Sequence, residues 1–161
     1  MIKFLASVLV LSIFVFNSVN AELPVPRWVS LKGEANLRRG PSMDATIIYR
    51  YQLQGYPMEI IREIDDWRQV RDPQDGVTGW MNHILFSGKR YAITSESPFT
   101  YGYDSPKKDK ILVKLSPGVH AKMEKCDASW CKLIIDYENT KIKVWVKKIN
   151  LLGVYKHEII K

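Results

Sequence analysis

The sequence holds little from which an enzyme or a metal centre could be built. Among its 161 residues are only two cysteines and three histidines. His83, His120 and His157 lie far apart, without the short spacings that metal ligands need, so a zinc site on Cys126 and Cys131 would have to recruit two distant imidazoles. A catalytic thiol would leave the other cysteine unexplained. Gly79 and Gly88 have no phosphate-loop context. No nucleophile stands beside a base, and the adjacent acids Asp65 and Asp66 read as a hairpin turn, where Asp satisfies local backbone groups. An enzyme would need an acid or thiol in a concave pocket, and none is legible. The expectation is therefore no catalytic residue, no metal and no cofactor.

Long apolar runs are scarce too. The one exception, Phe4 to Phe16, follows Lys3 and precedes the small residues around Ala21. This is the pattern of a secretory signal peptide over residues 1–21, with a mature start at Glu22. The run falls short of the roughly 20 residues that a spanning helix needs, so no stable membrane span is expected in the mature chain. No cysteine follows it to carry a lipid. Removing residues 1–21 takes away one charged residue, Lys3, from a chain of formal net charge +7. The mature protein is then a small, basic, exported one, periplasmic or extracellular. Oxidising compartments favour disulfides, which makes a Cys126–Cys131 bridge the default reading of the two cysteines.

Helical periodicity is missing as well: no window of 11 or more residues keeps a 3.6 period, while short runs rich in Val, Ile, Tyr and Trp alternate with turn clusters. The fold class is all-β. Strands are expected at 28–31, 35–38, 49–53, 58–64, 68–71 and 79–81, with an extended, proline-bearing lead-in before them. After a short link at Ser87, Gly88, Lys89 and Arg90 they resume at 91–94, 111–115, 119–126, 131–136 and 143–146, with an irregular loop over 95–109. Five strands in about 60 residues suit a small closed barrel.

What is present is a repeated spacing. Trp67 lies 12 residues after Gly55 and Trp130 lies 12 after Gly118; Trp80 and Trp145 follow 13 and 15 residues later. Gly40 to Gly55 spans 15 residues and Gly102 to Gly118 spans 16. Such self-similarity predicts two copies of one unit, at 27–88 and 89–155. Counted from Gly55 and Gly118, Glu63 and Arg68 fall where Cys126 and Cys131 stand. Facing positions of an antiparallel hairpin hold their β-carbons about 4.5–5.5 Å apart, close enough for a disulfide. One copy is thus expected to clasp its hairpin with an exposed charge pair and the other with a covalent bond.

Three motifs of the first copy occur in order: Asn36-Leu37-Arg38-Arg39-Gly40-Pro41, then Asp66-Trp67-Arg68-Gln69-Val70, then Gly79-Trp80-Met81 followed by Ile84 and Leu85. In these the chain resembles the bacterial SH3-like (SH3b) family. The second copy departs: Phe99, Thr100, Tyr101, Gly102 and Tyr103 replace the Asn-Leu-Arg run, and Val144 replaces the glycine before its tryptophan. The resemblance implies two tandem SH3-like barrels, each with a shallow groove floored by aromatics. It also implies a non-enzymatic module whose ligand is a cell-wall peptide or another envelope component. Arg38, Arg39, Trp67 and Trp80 are the candidate ligand-binding residues. The basic run Lys107, Lys108 and Lys110 leans toward anionic partners, although export disfavours nucleic acid. The alternative is a structural or inhibitory protein that docks another exported protein through the surface between the barrels.

Overall fold

The computed structural model describes residues 23–95, 98–107 and 110–161, so the expected signal peptide lies outside the described residues. Among these the chain is all-β. The first unit consists of β1 (Arg27–Leu31), β2 (Ala35–Arg38), β3 (Ile47–Tyr51), β4 (Pro57–Ile64), β5 (Trp67–Arg71), β6 (Thr78–Asn82), a 3-10 turn (His83–Leu85) and β7 (Phe86–Ser87). The second follows as β8 (Tyr91–Thr94), β9 (Thr100–Tyr103), β10 (Ile111–Leu115), β11 (His120–Cys126), β12 (Trp130–Tyr137), β13 (Thr140–Lys147), a second 3-10 turn (Lys148–Asn150) and β14 (Leu151–Leu152).

Two expectations need correction here. Each sheet has seven strands and not five: β7 joins the six ranges expected in the first unit by pairing back onto β1, and β14, which pairs onto β8, joins the five expected in the second together with β9. The stretch expected to be an irregular loop contains β9. The aromatic residues of β9 show no apolar–polar alternation, and its strand character comes from pairing with β10 and β13.

The sheets run β3-β2-β6-β5-β4-β1-β7 and β10-β9-β13-β12-β11-β8-β14, the same order once each strand is matched to its counterpart seven places on. Backbone hydrogen bonds outside the ladders recur with it. Gly55 and Gly118 have φ of 81° and 80°, which glycine adopts without steric cost. Their N–H groups donate to the carbonyls of Leu31 and Thr94, at 2.7 and 3.0 Å. His83 and Lys148 N–H donate to the residues just before the two tryptophans, Asp66 and Ser129.

Each unit has its own core. Leu31, Leu37, Met58, Ile60, Val70 and Met81 fill the first, and Ala121, Met123, Leu133, Ile135, Val144 and Val146 the second. Full burial of such side chains is worth about 1.5–3 kcal/mol apiece. They come from alternate positions of twisted strands, so one face of each sheet supplies its core. The chain beyond residue 155 folds back until Ile160 bridges Cys126 and packs against the second core.

Cys126 and Cys131 form a disulfide and are a facing pair of β11 and β12; Glu63 and Arg68 face each other across β4 and β5. Glu63 is not an exposed partner, however. Its side chain is only 16% exposed and is gripped by Arg27 as well as Arg68. The Arg27 hydrogen bonds, reinforced by the charges of both arginines and opposed by partial burial, hold its carboxyl below the ordinary value.

Between the units the packing is specific. Tyr155 Oη donates to Glu59 Oε1 at 2.8 Å, and its ring lies 5.7 Å from that of Trp28. Burial, followed by the Glu59 hydrogen bond, raises the Tyr155 hydroxyl above its usual range. His120 stacks on Tyr91 and its Nε2 donates to the Gly55 carbonyl at 2.9 Å. The surface between the barrels is therefore engaged within the chain itself.

Candidate functional site

Trp67 opens β5 directly after the two-residue turn Asp65–Asp66, where Asp65 takes a left-handed φ of 48°. It pairs in register with Asn82, the last residue of β6. Asn82 Oδ1 then caps the 3-10 turn by accepting from Ile84 N–H. This local chemistry brings the tryptophan, the strand end and the turn to one edge. The loop between β2 and β3 closes the other side, giving a groove of ≈ 310 Å³ lined by Arg38, Met43, Trp67, Asn82 and Ile84, among others. Met43 and Ile84 are 67% and 62% exposed.

Of the four candidates, Arg38 and Trp67 meet in this groove. Arg38 Nη1 donates to the Ala45 carbonyl at 2.9 Å, which fixes the guanidinium against the loop and leaves further donors. Arg39 is exposed on the loop, its N–H donating to the Thr46 carbonyl, and does not line the groove. Trp80 is only 8% exposed; it sits between Arg38 and Gln69 in the sheet and has no face on the groove. Its strand is flanked on both sides, a fact of topology that the Gly-Trp motif does not carry.

An equivalent groove lies on the second unit. Trp130 opens β12 and pairs with Lys147, the last residue of β13, and Ile149 projects from the second 3-10 turn, 65% exposed. With Pro106 and Lys107 from the loop between β9 and β10, these residues line a groove of ≈ 630 Å³. Trp130 is packed edge-on by Tyr103, with ring centroids 5.6 Å apart. The sequence reading missed Met43, Ile84, Ile149, Lys147 and Lys156. The one available signal was an isoleucine four places after the tryptophan of each closing strand, Trp80 and Trp145, too weak to single out.

The loop joining β5 and β6 has a different task. Asp72 is buried and accepts from Tyr51 Oη at 2.7 Å and Tyr56 Oη at 3.0 Å. Its other oxygen accepts from Gln74 N–H. Burial first, then the Asp72 contact, raises both tyrosine hydroxyls above their usual range. Tyr49 lies against Tyr51 with ring centroids 4.6 Å apart and stays exposed. This network anchors the loop. The histidines are separated: His83 faces Asp66, His120 lies between the units, and His157 stacks on Tyr155.

Residues 32–88, most of the first unit, match the family described as bacterial SH3 domain, and two seven-stranded sheets of one topology are consistent with two SH3-like barrels. No curated protein matches the chain. Among solved structures it is similar to NlpC2 from Trichomonas vaginalis at 10% identity, covering 81% of this chain and 49% of that one with a TM-score of 0.35. An NlpC/P60 family protein from Bacillus cereus gives 14% identity, 77% and 55% coverage and a TM-score of 0.35. NlpC1 from Trichomonas vaginalis gives 11% identity, 88% and 50% coverage and a TM-score of 0.34. The chain spans about half the length of these proteins.

Proposed function

We propose that the protein is an exported, non-enzymatic binding module that recognises a cell-wall peptide or another envelope component through its SH3-like grooves. One observation carries the reading: the same edge of both units presents a half-buried tryptophan beside an exposed isoleucine, Trp67 with Ile84 and Trp130 with Ile149. Large rings give contact area at low entropic cost and dominate binding hot spots. Exposed isoleucines in that place gain from being covered. The match of residues 32–88 supports the envelope setting, as does the disulfide. No helix among the described residues is long and apolar enough to cross a membrane. Among the described residues, neither groove is lined by a pair of carboxylates.

Sedimentation with purified sacculi tests this. The protein is expected to co-sediment, and Trp67→Ala to lose retention several-fold while keeping its fold by circular dichroism. Equal retention of the variant would remove the first groove from the interaction. Recovery of one defined exported protein, with no sedimentation, would favour the docking alternative instead.

A further inference from the structure

The outer face of the second sheet carries lysines that line neither groove. On β11, β12 and β13 the positions that alternate with buried core residues hold Lys122, Lys125, Lys132, Ile134, Lys143 and Trp145, each exposed or half-buried. The register sets them in two rows. Lys122 faces Ile134, which faces Lys143, and Lys125 faces Lys132, which faces Trp145. Adjacent strands lie about 4.8 Å apart and alternate residues of a strand about 6.8 Å, so the four lysines spring from roughly 10 by 7 Å of backbone. That is close to the screening length at 0.1 M salt, about 10 Å, and their charges act together.

Lys125 stands directly opposite Lys132, a like-charge pair that costs a sheet stability. The chain offsets this only in part. Glu124, the extra residue of the β11 bulge, binds Lys132 at 2.6 Å and lies 3.7 Å from Lys143, while Lys125 Nζ lies over the Trp145 ring, 5.4 Å from its centroid. One carboxylate among four ammonium groups leaves an excess of three. The next row, Asp136 facing Lys141, adds no net charge.

The patch is longer than it is wide. On its other side Lys122 faces Tyr91 of β8, and Tyr91 lines a cleft of ≈ 270 Å³ between the units together with Lys32, Gln54 and Lys89. Lys89 is exposed, and Lys32 gives one N–H to the Ile84 carbonyl at 2.8 Å, which leaves its ammonium two more. From β13 to β8 the row crosses four strands, roughly 14 Å, before it reaches the cleft.

We infer that this track binds a linear phosphate-bearing polymer, laid across the second sheet from Lys143 to the cleft between the units. A small anion would engage only part of its length. Its cations are lysines, point charges that take phosphate from many directions, whereas planar carboxylate recognition favours the fork of arginine. Trp145, the one ring in the two rows, is already met by Lys125, so a nucleic-acid base finds no stacking platform there. Ile134 and Trp145 are half-buried and do not reach into a lipid layer. The track lies outside both grooves, and the inference holds whether or not they bind sacculi.

Calorimetric titration of the purified protein with inorganic polyphosphate tests this, with orthophosphate, poly-glutamate, oligo-dT and phosphatidylglycerol vesicles alongside. Polyphosphate is expected to bind most tightly of the five, and to weaken at least tenfold between about 50 and 200 mM salt, because each ammonium that meets a phosphate releases a condensed counterion. The exposed pairs Lys125→Ala/Lys143→Ala and Lys89→Ala/Lys122→Ala should each weaken it about tenfold with unchanged circular dichroism, in line with the loss of two surface charge contacts. Glu124→Gln should tighten it about two- to threefold, a direction that loss of fold does not imitate. Trp67→Ala should leave it unchanged. Absence of polyphosphate binding, equal or tighter binding of any of the other four, insensitivity to either lysine pair, weakening by Glu124→Gln, or dependence on Trp67 would each overturn the proposal.

Discussion

Leu37 lies over Gly79 in the first unit, so close that a Cβ on the glycine would sit 2.6 Å from Leu37 Cγ. In the second unit the corresponding pair is Gly102 and Val144, and a Cβ on Gly102 would sit 2.9 Å from Val144 Cβ. The register fixes the correspondence, because Arg38 pairs with Trp80 and Tyr103 with Trp145 one residue further on. The large and the absent side chain have changed places across the same strand contact. Two apparent departures of the second unit from the first unit's motifs, the lost leucine and the valine before Trp145, are thus one compensated exchange that comes within a methylene of conserving volume.

Gly79→Ala is accordingly expected to lose about 1–3 kcal/mol, because a core at native density absorbs an added methyl only through strain. Gly102→Ala should behave alike. Gly33→Ala and Gly88→Ala, where nothing lies within 4 Å of the added carbon, should stay within about 0.5 kcal/mol. Urea denaturation of the four variants separates the two pairs.

Reduction of Cys126–Cys131 should destabilise the second unit. The closed loop is short, and chain-entropy reasoning gives about 2 kcal/mol. Limited proteolysis with and without reductant should show new cleavage confined to residues after 90. Identical sensitivity of both units after reduction would contradict a selective role for the disulfide.

Glu63→Ala should cost about 1–2 kcal/mol, since it strips a charged acceptor from two half-buried guanidinium groups. This exceeds what an exposed pair would contribute.

Acid should act through the same residue. The folded-state carboxyl of Glu63 is held below its unfolded value, so its contribution is present above that unfolded value, about 4.3. It is lost as pH falls through the lower value of the folded protein. Between pH 7 and 3 the denaturation midpoint of wild type should fall further than that of Glu63→Gln.

Asp72→Ala should cost about 2–3 kcal/mol by orphaning the hydroxyl of Tyr51 and the N–H of Gln74, while Tyr56 keeps only Gln74 Oε1 as acceptor, at 2.8 Å. Both tyrosines should then ionise at lower pH, because their raised values owe part of their shift to that carboxylate. Ultraviolet titration of phenolate checks the direction.

Strand positions were legible wherever residues alternate or a glycine must take positive φ. The facing of Cys126 with Cys131, and of Glu63 with Arg68, followed from counting, because hairpin register is local. β9 was hidden because its strand character lies in its partners. Trp80 and Trp67 looked alike as motif members, yet one is walled in by neighbouring strands and the other stands at an edge.

By itself, then, the chain's order of residues determined the all-β class, the turn glycines, the tryptophan spacing and the hairpin pairs, all set by contacts a few residues apart. Tertiary structure alone decided that Arg27 would join Glu63, that Gly102 would answer Val144, and that Lys107, Lys147, Lys148 and Lys156 would meet around Trp130. Those meetings depend on closing the sheet between segments tens of residues apart, which no local period encodes.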